Sequence, residues 1–371
     1  MATESGPAEA EAGGILMIDL AAIVANWRAL GARAPGAECA AVVKADGYGC
    51  GVGEVTSALA AAGCRTFFVA NLAEARRVRA VAREAIVYVL NGLLPGTAAA
   101  YGEANLRPVI GSRAELDEWT AFRASGWLGA AALHVDTGMN RLGFALDEAA
   151  ALVASRRNDP GIALVMSHFA CAEEDHPLNA EQIERFGQIR ALVPGIPGSL
   201  ANSSGIFLGV RAHHDLIRPG VALYGANPTP GRANPMRPVV RLDARIVQTR
   251  AVAQGQTVGY GATWTTRRAS RIAVVSVGYA DGLMRAASAT DEQQGAEAIV
   301  AGVRCPFAGR ISMDLLALDV SDVPADRISR GDIVTLIGDG ITVDDLAQRA
   351  DTIGYEVLTS LGSRYRRVYN T

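Results

Sequence analysis

Between residues 18 and about 222 the chain alternates eight short apolar runs with longer segments whose apolar residues recur at helical spacing. The runs cover residues 39–43, 66–70, 86–90, 107–110, 131–135, 162–167, 198–201 and 215–217. Between them lie segments such as EVTSALAAAG, LAEARRVRAVA, SRAELDEWTAF and NAEQIERFGQIRALV, with Gly and Pro at the junctions. Eight strand–helix units in roughly 200 residues is the pattern of a (β/α)8 TIM-type barrel. A doubly wound sheet would more naturally stop at five or six strands.

Beyond Pro238 the texture changes. VVRLDARIVQTR, RIAVVSVGYA, EAIVAGVRCPFAG, MDLLALDV and GDIVTLIG are alternating or β-branched runs separated by Gly, Pro and Asp. They predict a mainly antiparallel β domain, with one helix near residues 343–351. The loop-like stretch GANPTPGRANPMRP marks the expected boundary, giving a barrel over 15–238 and a β domain over 239–371. Residues 1–14 are small, polar and acidic, with neither a basic start nor an apolar core, and read as a disordered leader.

Composition removes several classes of function. A net charge of −3 gives no reason to invoke nucleic acid or an acidic membrane surface. No apolar stretch approaches the ~20 residues of a membrane helix. The five cysteines are odd in number and scattered, with no CxxC pair, which favours a reducing, cytoplasmic setting and argues against a metal site. One count points the other way: there is a single lysine, Lys44, against 34 arginines. Drift can exchange surface lysine for arginine, since either cation serves there. A position that must become a neutral amine cannot follow, because guanidinium stays protonated and forms no Schiff base. Lys44 follows the apolar run AAVV and precedes a Gly-rich turn, an unusual place for a spare surface lysine. Lys44, Asp136, His168, Asn202–Ser203 and Arg218 each follow directly on an expected strand, at the barrel face where active sites are built.

VVKADGYGCG, LHVDTGMNRLG, SHFA, NSSG, RPGVALYG, VGYGATW, SVGYADG, GRISMD and GYEV occur in this order from residue 42 to 357. Together they resemble the alanine racemases, pyridoxal-phosphate enzymes with a barrel and a C-terminal β domain. The resemblance implies interconversion of L- and D-alanine by a two-base mechanism through an external aldimine, with pyridoxal 5'-phosphate in Schiff-base linkage to Lys44. It assigns the cofactor phosphate to Tyr48, Ser203, the amides of Gly220 and Val221, and Tyr355, with Asn202 in the same loop. Arg218 would face the pyridine nitrogen, where a carboxylate would instead keep that nitrogen protonated. Lys44 would serve one face of the substrate and Tyr260 the other, with His168 hydrogen-bonding that tyrosine. Arg141 and the amide of Met313 would hold the substrate carboxylate, and Tyr279, Arg285, Arg310 and Asp314 would line the entrance. Tyr260 would come from the partner subunit, making the enzyme a head-to-tail homodimer with composite sites.

Two positions depart from the family pattern. His134 stands where many members have a lysine that becomes a carbamate and orients the arginine matching Arg141. Asn140 stands where many have glycine. A neutral His134, a bound anion or ordered water are the alternatives for orienting Arg141. Other readings remain: a broader or serine-type racemase sharing the same chemistry, a barrel decarboxylase, which Arg218 opposes, and a non-catalytic cofactor carrier, which would lack the β domain.

Overall fold

The computed structural model describes residues 3–155 and 161–371. It divides into two compact units, one of Ile23–Leu223 with Asn227–Met236, the other of Met1–Ala22, Tyr224–Ala226 and Arg237–Thr371.

In the first unit, seven parallel strands pair in chain order: Ala41–Val42, Thr66–Val69, Ile86–Val89, Arg107–Ile110, Ala131–His134, Ile162–Met166 and Gly198–Ser199. The eighth, Leu216–Ile217, pairs in parallel with Glu38–Cys39. Backbone bonds tie it on both sides. Asp215 and Arg218 donate to the carbonyls of Gly198 (3.0 Å) and Ala201 (2.9 Å), while Ala40 and Val42 donate to those of Ile217 (3.0 Å) and Pro219 (2.9 Å). The ring therefore closes and leaves no edge. All eight expected strands are present, the first divided into Glu38–Cys39 and Ala41–Val42 because each half pairs with a different neighbour. Strands such as Thr66–Val69 are buried at every position, as a ring covered by helices on its outside demands.

The surrounding helices bury one face each. Leu72–Val81 buries Ala75 and Val78, and Arg113–Ala124 buries Leu116 and Trp119. Both start on a side-chain cap: Asn71 accepts from the Glu74 amide, and Ser112 from the Glu115 amide.

The second unit is built on Val240–Val252, which pairs antiparallel with Gly14–Asp19, Ser270–Val275 and Ile333–Ile337. Leu316–Asp319 extends one side and the Glu297–Val300/Val303–Pro306 hairpin the other. The sheet is antiparallel except where Arg366–Asn370 runs parallel to Gly14–Asp19.

Three expectations need correction. The first concerns the leader. Its residues 1 and 2 lie outside the described residues, but Thr3–Ser5 forms a strand on Arg366–Asn370. Arg366 donates to the Pro7 carbonyl (3.0 Å) and the Glu4 carboxylate, and Arg245 to the carbonyls of Glu9 (3.2 Å) and Ala12 (3.2 Å). An acidic, core-poor segment folds here because it covers a basic sheet edge. Secondly, residues 15–22 belong with the β unit rather than the barrel, because the alternately buried strand Gly14–Asp19 finds its partner in Val240–Val252. Thirdly, where one helix is expected near residues 343–351 there are two, Val343–Arg349 and Gly354–Ser360. Among the described residues, no helix is long and apolar enough to cross a membrane.

Candidate active site

Lys44 leaves the first barrel strand into a turn of unusual hand. Ala45, Asp46, Gly47 and Tyr48 all have φ between 51° and 62°. For non-glycine residues that conformation costs about 1–2 kcal/mol each, so something must hold it. Glu74 does: its carboxylate accepts from the amides of Ala45 (2.7 Å) and Ala70 (2.8 Å). Asp46 accepts from the Val52 amide (3.1 Å) and pairs with Arg77 (2.7 Å). The turn leaves Lys44 half-buried and buries Tyr48. Burial, then the Arg141 guanidinium, lowers the proton affinity of Lys44, and Glu74 opposes them.

Tyr48 reaches the loop after the eighth strand. A Cβ at Gly220 would lie 2.4 Å from the Tyr48 hydroxyl, so only glycine permits that approach. Beside it, the Ser203 hydroxyl accepts from the amides of Gly220 (2.9 Å) and Ala222 (3.3 Å). Val221 is buried between them. The Tyr48 and Ser203 hydroxyls, meeting at this loop at the end of the last barrel strands, are donors suited to a phosphate, and with Lys44 on the same rim the residues fit pyridoxal phosphate. Asn202 supports this cradle indirectly, its side-chain oxygen accepting from the Gly205 amide (2.8 Å).

Arg218 is buried, 3% exposed, and held on several sides. It donates to the Ser199 hydroxyl, the Ser167 carbonyl (2.7 Å), the Leu200 carbonyl (3.4 Å) and His168 Nδ1 (3.3 Å). Burial pushes its pKa down to about 9, which leaves it charged at neutrality. Below it Phe68 lies 5.8 Å from the guanidinium carbon, stacked at 5.0 Å on Tyr88, which Arg107 in turn covers at 5.5 Å and hydrogen-bonds at 3.0 Å. His168 is driven well below the usual imidazole range by burial, then by Arg218, Arg141 and His134. His134 falls to about 4 through burial and Arg218, with Asp136 opposing. Both rings are neutral at physiological pH.

The Arg141 loop is fixed by Asp136, whose carboxylate accepts from the amides of Gly138 (2.9 Å), Met139 (2.9 Å) and Asn140 (3.0 Å). Asn140 has φ 54°, a conformation in which asparagine is the best tolerated residue after glycine. That departure therefore preserves the loop. Arg141 itself is exposed.

The β unit carries the remaining candidates. Tyr260 is 70% exposed and Met313 54%, with Tyr279 and Leu315 also exposed. A Cβ at Gly278 would lie 2.3 Å from the carbonyls of Ser312 and Met313, so glycine lets the Tyr279 and Met313 loops lie back to back. Tyr279 and Ala280 donate to those carbonyls at 3.0 and 2.9 Å. Arg310 underlies Gly261 in the Tyr260 loop, and Asp314 pairs with Arg364 at 2.9 Å. Arg285 is exposed on the Arg285–Ala287 turn, and Tyr355 is half-buried on Gly354–Ser360.

Structure thus brings Lys44, Tyr48, Arg141, His168, Asn202, Ser203, Arg218, Gly220 and Val221 onto the loops of one unit, and Tyr260, Tyr279, Arg285, Arg310, Met313, Asp314 and Tyr355 onto the other. Sequence reasoning missed Glu74, Ser199, Ala222 and the Phe68–Tyr88–Arg107 column. Asn71 and Glu74 have capping spacing, which signals a helix start but not the reach of that carboxylate to Ala45.

Residues 18–228 match the family described as alanine racemase, N-terminal domain, and residues 239–369 the alanine racemase C-terminal domain. An alanine racemase of Methylobacterium nodulans is 56% identical over 363 residues, covering 96% of each chain. The alanine racemase of Bartonella henselae, whose crystal structure has covalently bound pyridoxal phosphate, superposes with a TM-score of 0.90 at 37% identity, over 97% of this chain and all of the other. A biosynthetic alanine racemase of Pseudomonas aeruginosa gives 0.89 at 38%, with the same coverage. With both units matched along their length, the rim of Lys44 and Arg218 has a lineage: this chain belongs to the alanine racemase family.

Proposed function

We propose that this chain interconverts L- and D-alanine with pyridoxal 5'-phosphate carried on Lys44. The observation that carries the reading is the placement of the only lysine on the rim where the Tyr48–Ser203–Gly220 cradle and Arg218 also lie. When bound, the cofactor supplies the electron-withdrawing power that acidifies the substrate Cα–H.

The residues then divide the work. Lys44, with its proton affinity lowered by burial and Arg141, takes or returns the Cα proton at Nζ on one face. Arg218 donates hydrogen bonds and cannot accept a proton, so it leaves the cofactor ring nitrogen unprotonated and limits side reactions. Neutral His168 accepts from Arg218 at Nδ1, which places its own proton on Nε2, available to a tyrosine oxygen. Tyr260 handles the proton of L-alanine from the opposite face, entering from the partner subunit of a homodimer. Arg141 and the Met313 amide hold the substrate carboxylate, for which a guanidinium fork is suited. Tyr48, Ser203, Gly220, Val221 and Tyr355 bind the phosphate, and Tyr279, Arg285, Arg310 and Asp314 restrict entry to small side chains. The five free thiols suit a cytoplasmic setting.

A racemisation assay on purified protein with each alanine enantiomer, beside visible absorbance of wild type and Lys44→Arg, tests this. Wild type should racemise alanine and retain a cofactor band through dialysis, and the variant should lose both. A variant that keeps the band, or a wild type that prefers serine, overturns the cofactor or the substrate assignment respectively.

A further inference from the structure

Gln182, on the Pro177–Leu192 helix, is wholly buried at 0% exposure, and its amide is divided between two rim loops. Its Nε2 donates to the Thr137 hydroxyl (3.0 Å) and the His168 carbonyl (2.9 Å), using both hydrogens. Its Oε1 accepts from the Ala170 amide (2.9 Å). The Thr137 hydroxyl also lies 2.7 Å from that of Ser167, and Arg185 on the same helix donates to the Thr137 carbonyl (2.9 Å). One loop runs through Asp136 and Thr137 to Arg141. The other presents His168 and the Ser167 carbonyl to Arg218.

A buried amide is costly unless every polar atom is satisfied, and an apolar side chain of the same length would fill the space without that demand. Gln182 satisfies all three of its bonds, and all three end on rim loops. We propose that Gln182 is a positioning residue that locks the Arg141 loop to the His168 loop, so that carboxylate recognition and the proton relay stay in register. This rests on the roles given to Arg141 and His168 above. Gln182 touches neither substrate nor cofactor. It acts through the loops.

Gln182→Met keeps the length and removes the bonds. Gln182→Glu keeps an acceptor for Ala170 but, when ionised, can donate to neither Thr137 nor the His168 carbonyl. Both variants should raise KM for alanine about tenfold and enlarge the isotope effect with Cα-deuterated L-alanine, while cofactor absorbance stays unchanged. Amide hydrogen exchange, read independently of activity, should quicken at residues 137–141 and 168–170 and nowhere else. Thr137→Val should resemble Gln182→Met, and Thr137→Ser should resemble wild type. Wild-type kinetics in Gln182→Met, or faster exchange spread through the whole barrel, would overturn the proposal. Should Gln182→Met fail to fold, equal kinetics in Thr137→Val and Thr137→Ser would overturn it instead. A wild type that does not racemise alanine defeats the functional reading, whereas the localised exchange result still decides whether Gln182 joins the loops.

Discussion

At the scale of the residue, the site depends on side chains whose charge state is set by burial. His134 shows the consequence for stability. Its pKa falls from the usual 6.5 to about 4 in the folded chain, because burial and the Arg218 charge disfavour the imidazolium. Between those two values the unfolded chain binds more protons than the folded one, so stability must fall as pH is lowered through that window. The loss reaches at most about 3 kcal/mol below pH 4. We expect His134→Asn, which carries no titratable group, to show a shallower fall in thermal midpoint between pH 7 and 4 than wild type. Parallel curves would mean that His134 does not contribute. Glu74 makes a different prediction. Removing its carboxylate in Glu74→Ala strips the acceptor from the Ala45 and Ala70 amides and releases a left-handed turn. The expected cost is about 1–3 kcal/mol of stability, with faster cofactor loss on dialysis. Unchanged cofactor retention would show that the turn holds Lys44 without it.

At the scale of the element, the sequence exposed what is local and concealed what is paired at a distance. The eight barrel strands were legible because each is a short apolar run between helical patterns, and Lys44, His168, Ser203 and Arg218 because each directly follows one. The strand Gly14–Asp19 was not, since period-two burial is compatible with any half-buried sheet and its partner Val240–Val252 lies far along the chain. Nor was Thr3–Ser5, whose acidic, core-poor surroundings are held by pairing with the distant Arg366–Asn370 and by the side chains of Arg366 and Arg245. Ser199 and Phe68 escaped for the same reason: their relation to Arg218 exists only once the ring has closed. A truncation beginning at Gly13 tests the leader's part. It bares the edge of Arg366–Asn370, so it should lower the thermal midpoint and promote concentration-dependent association through the open edge. An unchanged midpoint and unchanged sedimentation would make the leader strand dispensable.

At the scale of the whole molecule, the candidate residues fall into two sets on two separately compact units. Lys44 and Arg218 belong to the barrel, whereas Tyr260 and Met313 stand on an exposed, partly apolar face of the β unit. A tyrosine left 70% exposed is poorly placed to meet a substrate carbon with its oxygen. To act as a base it needs a hydrogen-bond donor or a cation held beside its oxygen, because burial alone disfavours the phenolate. Exposed Tyr260, Tyr279, Met313 and Leu315 on one unit also make a face that a second copy of the chain would cover with gain. The proposed homodimer, in which the β unit of each protomer would complete the barrel site of the other, would answer both needs. This arrangement predicts complementation. Lys44→Ala and Tyr260→Phe should each be nearly inactive, but a hybrid dimer carries one site with both native residues and one with neither. Random re-association of an equal mixture makes half of the dimers hybrid, so about a quarter of the sites should be intact. Activity should therefore rise toward that fraction when the two variants are co-expressed or mixed under exchanging conditions, and should stay absent when they are mixed without exchange. Complete absence of recovery in a mixture whose hybrids are verified by mass would place Lys44 and Tyr260 of each site on the same subunit.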